Sequence, residues 1–122
     1  MKNSKTLNYK VLLVFAPLLM LTGILGFLIP AQSSFNSGEP AYNIFHIFFS
    51  IVGLIVLLTR RESYIRGFNI GFGLIDLYQA AASFLHLFPE QLFKWTRADD
   101  ILHIVIGAIL VFVGLYGFRY QD

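Results

Sequence analysis

Four apolar runs of near-spanning length divide this chain, at about 11–30, 42–59, 67–88 and 101–118. A bilayer core takes about 20 apolar residues per crossing helix, so each run is long enough to span it. In a chain of 122 residues, four such helices leave only short loops and tails. The sequence is 57% apolar and 13% charged, with a mean hydropathy of +0.68, which excludes a water-soluble globular fold. Backbone polar groups inside hydrocarbon must be satisfied within the chain. The expected fold is therefore all-α, an integral membrane four-helix bundle forming one domain over residues 1–122.

The first run follows Lys2, Lys5 and Lys10 as a signal peptide would, but it is too long for one and ends Leu-Ile-Pro-Ala without a small-x-small cleavage site. It reads as a retained span with a kink near Pro17. Lys2, Lys5, Lys10, Arg60, Arg61, Arg66 and Arg119 fall on one side of the runs, and Lys94 and Arg97 on the other. The positive-inside rule then places both termini in the cytoplasm of a multi-pass protein of the inner or plasma membrane. Tyr9, Tyr64, Tyr116 and Tyr120 mark the inner interface, and Tyr42 and Trp95 the outer one. In the outer loop, Pro89 is suited to start a short helical turn that dips Leu92, Phe93 and Trp95 into the headgroups. The pI of about 9.0 reflects these anchors rather than a basic face, so lipids are expected partners and nucleic acid is not.

Asn43-Ile44-Phe45-His46-Ile47 opens the second run, and Asp100-Ile101-Leu102-His103-Ile104 opens the fourth, 57 residues later. The same offset lays the first run on the third, which predicts two parallel helical-hairpin repeats. Helical spacing gathers one non-lipid stripe on each of the last three runs. These are Asn43, His46, Ser50 and Gly53; Asn69, Gly73, Asp76, Gln79, Ser83 and His86; and Asp100, His103, Gly107, Gly114 and Gly117. Polar and small residues avoid lipid, so the stripes should face one another. The first run offers only Thr22, Gly23 and Gly26. Gly67 and Gly71 form a small-xxx-small pair roughly opposite the third stripe, suited to pack on the first span or on another copy of the chain, with packing within the molecule the expectation.

Asn43-x-x-His46 with Gly53, Tyr78, and Asp100-x-x-His103-x-x-x-Gly107 together resemble a bacterial family of small four-span membrane proteins with no established activity. The resemblance covers about residues 10–118 and implies the four-span topology. The chain departs from that pattern in carrying Asp76 in mid-span and a rather aromatic second span.

His46, His103 and His86 fall at similar depth near the outer face. Their convergence permits a divalent metal site, with Asp100 or Glu90 as an oxygen ligand, or a haem held between the second and fourth spans. Asn43 and Asp100, one turn back, would then be second-shell partners. The alternatives are a pigment, lipid-headgroup or quinone contact, or histidines that only bond across the bundle while Asn43 and Asp100 act as N-caps. Asp76 falls near mid-membrane, where a bare carboxylate costs at least about 2.5 kcal/mol, so it is expected to carry a proton and to bond Gln79, Asn69 or a facing helix. With Gln79, Ser83 and His86 it forms a polar ladder suited to a proton or small-solute path. Without cysteines there is no thiol chemistry. Gly71-Phe72-Gly73 lacks the context of a nucleotide loop, and no Ser, His and Asp set implies a nucleophile. Three functions stay open: a non-enzymatic accessory or assembly subunit, in a membrane complex or as a homo-oligomer; a haem- or metal-binding redox protein using His46 and His103; and a proton-coupled carrier centred on Asp76.

Overall fold

The computed structural model of the chain describes residues 6–30, 33–34 and 36–117. Lys2, Lys5, Arg119 and Tyr120, invoked above for topology, lie outside the described residues, as do Ala31, Gln32 and Phe35 of the first outer connection and Phe118 at the end of the fourth run. Among the described residues the protein is all-α, without a strand: α1 (Leu7–Leu28), α2 (Pro40–Thr59), α3 (Glu62–Leu85), a short α4 (Glu90–Phe93) and α5 (Arg97–Tyr116). Three of these, α1, α2 and α5, are long and apolar enough to cross a membrane. The 24-residue α3 is long enough but more polar, carrying Glu62, Arg66, Asn69, Asp76 and Gln79.

Local chemistry explains where the helices start. The hydroxyl of Thr6 accepts from Tyr9 N, so α1 begins at Leu7, one turn before the expected Val11, and takes Asn8 into its first turn. Pro40 supplies the first residue of α2, where its missing N–H is no loss. At α5, Thr96 and Asp99 form a reciprocal capping box: Thr96 Oγ1 accepts from Asp99 N at 3.2 Å, and Asp99 Oδ2 accepts from Thr96 N at 2.8 Å. Neither Asn43 nor Asp100 is therefore an N-cap; each is the fourth residue of its helix. The third helix starts at Glu62 rather than Gly67 and stops at Leu85, with His86 as its C-cap in the left-handed region.

The helices associate as two close pairs, α1 with α2 and α3 with α5, and the pairs meet each other more lightly. Glycines make both close contacts. A Cβ on Gly26 would fall 1.9 Å from Asn43 Oδ1, and one on Gly107 would fall 2.8 Å from Gly73 O. By contrast, nothing lies within 4 Å of a Cβ at Gly67 or Gly71. The expectation that this pair packs internally is overturned, because α5 lies against the opposite side of α3, through Gly73.

Many polar side chains join the apolar core inside, and many large apolar ones lie outside. Asn8, Asn43, His46, Ser50, Asn69, Asp76, Gln79, Asp99 and His103 are buried, while Leu28, Leu58, Leu74, Phe84, Leu85 and Phe112 are exposed. That inversion, with the three apolar helices, describes a helical membrane protein. At the end where α1 and α3 start, Asn69 Nδ2 donates to Asn8 Oδ1 at 3.0 Å, tying α3 to α1, and Thr6 Oγ1 donates to Glu62 Oε1 at 2.7 Å. The first helix is thus less lipid-like than its apolar run suggests. Arg66 Nε donates to Gly114 O at 2.9 Å, so this charge is also a strut between α3 and α5.

Candidate functional site

The end of the molecule at which α2 and α5 start holds a partly open chamber of about 260 Å³. Tyr42 and His46 enter it from α2, Asp76 and Phe72 from α3, Asp99 and His103 from α5, and Phe15, Leu18 and Leu19 from α1. Spacing explains the convergence. Tyr42 and His46 are one turn apart on α2, as Asp99 and His103 are on α5. Both pairs lie in the outermost turns of helices that start on the same side.

Tyr42 is the hub of the chamber. It was expected at the outer interface, yet it is buried. Its hydroxyl lies 3.0 Å from Asp99 Oδ1 and 2.8 Å from His103 Nε2, and its ring centroid is 4.2 Å from that of His46. The other oxygen of Asp99 accepts from Ser37 N at 2.9 Å, Thr96 N at 2.8 Å and Thr96 Oγ1 at 3.1 Å. A carboxylate so surrounded by donors accepts the Tyr42 hydroxyl hydrogen bond as well. The one hydrogen of Tyr42 being spent there, His103 must donate its Nε2–H to the tyrosine oxygen, leaving Nδ1 as the bare nitrogen. Nδ1 of both His103 and His46 is buried without a hydrogen-bond partner.

The partner of His103 is therefore Tyr42, backed by Asp99, and not Asp100. Asn43 Nδ2 donates to Gly38 O at 2.9 Å, in the loop before α2, instead of orienting His46. His86 stands apart: exposed at the end of α3, its Nδ1 lies 3.0 Å from Glu90 Oε2. Among the described residues no three His, Asp or Glu side chains are gathered to hold a metal ion. Axial ligation of a haem iron through Nε2 of His103 would have to break its bond to Tyr42.

Asp76 lies at the level of Gly107, the middle of α5, and is nearly inaccessible. Gln79 Nε2 donates to its Oδ1 at 3.2 Å, as expected, and Trp95 Nε1 donates to Gln79 Oε1 at 3.0 Å, which fixes which way the amide points. The polar ladder thus runs from Asp76 through Gln79 to Trp95. It does not continue through Ser83, which is half-buried, or His86. Asn69 bonds Asn8 instead.

The short helix packs beside the chamber, against Tyr42, without lining it. Phe93 is buried rather than dipped into headgroups, 5.2 Å from Tyr42 and from Phe45 between ring centroids, while Leu92 stays exposed. Ser37 Oγ donates to Phe93 O, so the two outer connections are stitched together. The sequence signal for Asp99 was Thr96-x-x-Asp99, a capping box in composition. Nothing in the sequence singled out Asn8 or the inward turn of Tyr42.

Along the α1/α5 cleft, the chamber meets an apolar groove of about 420 Å³ bounded by Lys10, Val11, Val14 and Leu110. Phe15, Leu18 and Ile106 line both. Comparison with protein-family models, with curated proteins and with solved structures finds no match to this chain.

Proposed function

We propose that the chain is a small four-span integral membrane protein, a member of the bacterial family its Asn43-x-x-His46 and Asp100-x-x-His103 motifs resemble, with both termini cytoplasmic. In this reading it is a non-enzymatic accessory or assembly subunit, working within a membrane complex or as a homo-oligomer, built around a His-containing interior near the outer face. The observation that carries it is the inversion on α3. Its buried residues include Asn69, Asp76 and Gln79, and its exposed ones include Leu74, Tyr78, Phe84 and Leu85. A helix in water would show the opposite pattern. The connections at residues 60–61 and 86–96 hold no soluble domain of their own.

Two parallel hairpins forming a four-helix bundle are supported by contacts that recur at the sequence offset. Ser50 Oγ donates to Ala16 O at 2.9 Å in the first pair, and their counterparts 57 residues on, Gly107 and Gly73, make the close backbone approach of the second. Tyr42 and Asp99, which bond each other, are themselves 57 apart.

The chain has no cysteine, so single introduced cysteines report topology cleanly. Ser63 and Lys94 are both exposed, at opposite ends of α3. Lys94→Cys is expected to react with an impermeant maleimide in intact cells, and Ser63→Cys only after permeabilisation. Labelling of both from the same side would remove α3 from the set of spans. In mild detergent the native complex is expected to migrate well above the 13.9 kDa of one chain; migration as a single chain would overturn the assembly role.

A further inference from the structure

The chamber and its groove differ in chemistry, and the difference selects a ligand. The charged side chains lining the chamber are Asp76 and Asp99, with no Lys or Arg among its lining residues. An anionic head would face two carboxyl groups in a site of low dielectric. Asp99 is already occupied by Ser37, Thr96 and Tyr42. Asp76 accepts one bond, from Gln79, and lies in the middle of the membrane-spanning layer. A bare charge there is costly, and a cationic head meets that cost by replacing the proton expected on Asp76, which leaves to water. Aromatic rings complete the walls: Phe15 and Phe72 lie 5.6 Å apart between centroids, and Tyr42 is tilted against His46 at 4.2 Å. Ring faces attract a desolvated cation. The groove adds an apolar trough open toward the bilayer side of α1 and α5, and Lys10, at its far end, would repel a cationic head toward the chamber.

We propose that this site binds a lipid-soluble organic cation, an alkyl-substituted ammonium or pyridinium, with its head in the chamber against Asp76 and its chain along the α1/α5 groove. Chamber volume restricts the head: about 260 Å³ is below the roughly 300 Å³ at which whole-ligand sites begin. A compact head is accommodated and a chain is sent into the groove. Entry is lateral, from the bilayer, between Leu18 and Ile106. The inference rests on the reading of α3 as a span, since α3 carries Asp76, and on α1 and α5, which carry the groove and are membrane-crossing in length and composition. It does not rest on the assembly role: migration as a single chain in detergent would leave this site standing, and a failure to bind would leave the labelling result standing.

The test uses the full chain in phosphatidylcholine nanodiscs and decylpyridinium, a cationic quencher of indole fluorescence. Trp95 is the single tryptophan, and its ring centroid lies 6.4 Å from that of His103 in the chamber wall. Saturable quenching is expected. Asp76→Asn should weaken it by about tenfold or more, the loss of one charge contact in a partly desolvated site. Asp76→Glu should retain most of it, and Ile106→Phe, which narrows the shared segment, should weaken it while leaving Asp76 in place. Decyltrimethylammonium should compete; decanol and decanoate should not. Quenching that rises linearly without saturation, equal affinity in Asp76→Asn with native helix content, or competition by decanol as strong as by the ammonium would each overturn the proposal. Should Asp76→Asn fail to fold, Ile106→Phe and the competition series decide, and equal competition by all three amphiphiles counts against it.

Discussion

The glycines of this protein divide by what stands opposite them. Gly107 faces the backbone of Gly73 so closely that an added methyl would sit 2.8 Å from a carbonyl oxygen, which cannot swing away as a side chain can. Gly107→Ala is expected to push α5 off α3 and to lower stability by about 1–3 kcal/mol, the usual range for overpacking. Gly71→Ala meets nothing within 4 Å. It should be neutral or raise stability by up to about 1 kcal/mol, because alanine is the better helix former. Thermal unfolding of the two variants in the same detergent checks the pair, and equal losses at both would contradict the packing. The sequence did not separate these positions, since both lie in small-residue stripes with helical spacing. Which side of α3 receives α5 depends on the partner's shape. Tyr42 is a similar case. A tyrosine at a helix start is the residue expected in an interfacial belt; here the capping box on α5 places Asp99 where the hydroxyl reaches it.

At the scale of elements, the helix ends show why boundaries were harder to read than runs. Hydropathy marks the apolar interior of a helix, but starts are set by caps. Thr6 extends α1 back to Leu7, and the Thr96 and Asp99 box starts α5 at Arg97, both inside segments that read as polar flanks. The C-terminal ends carry no such cue, because α2, α3 and α4 each stop on a non-glycine residue in the left-handed region: Arg60, His86 and Lys94, with φ of 55°, 59° and 50°. That conformation costs an L-residue about 1 kcal/mol that glycine avoids. His86→Gly is therefore expected to gain roughly that amount, less the small worth of an exposed contact to Glu90. The same variant should leave decylpyridinium binding unchanged, since His86 is outside the chamber. A fall in the unfolding midpoint, or in binding, would show that the histidine serves the site after all.

At the scale of the whole molecule, two tight hairpins must be held in one register, and polar contacts at opposite ends of the cleft do this. At the end where α2 and α5 start, Tyr42 links α2 to Asp99 and His103 on α5; at the end where α1 and α3 start, Asn69 of α3 donates to both the side chain and the backbone oxygen of Asn8 in α1. The histidine pair was legible because it repeats at a fixed offset. The asparagine pair was not, since Asn8 precedes the apolar run and has no repeated partner. Both asparagines are fully buried, so replacing Asn69 leaves the Asn8 side-chain oxygen without its donor and replacing Asn8 leaves Asn69 only the longer bond to the backbone oxygen, whereas replacing both exchanges a polar contact for an apolar one. Asn69→Leu is accordingly expected to cost about 1–3 kcal/mol, Asn8→Leu a similar amount, and the double variant markedly less than their sum. A double-mutant cycle on unfolding in detergent measures that coupling. Additive losses would mean that the two side chains act separately, leaving the apolar contacts around Leu12 and Ile65 to hold the starts of α1 and α3 together.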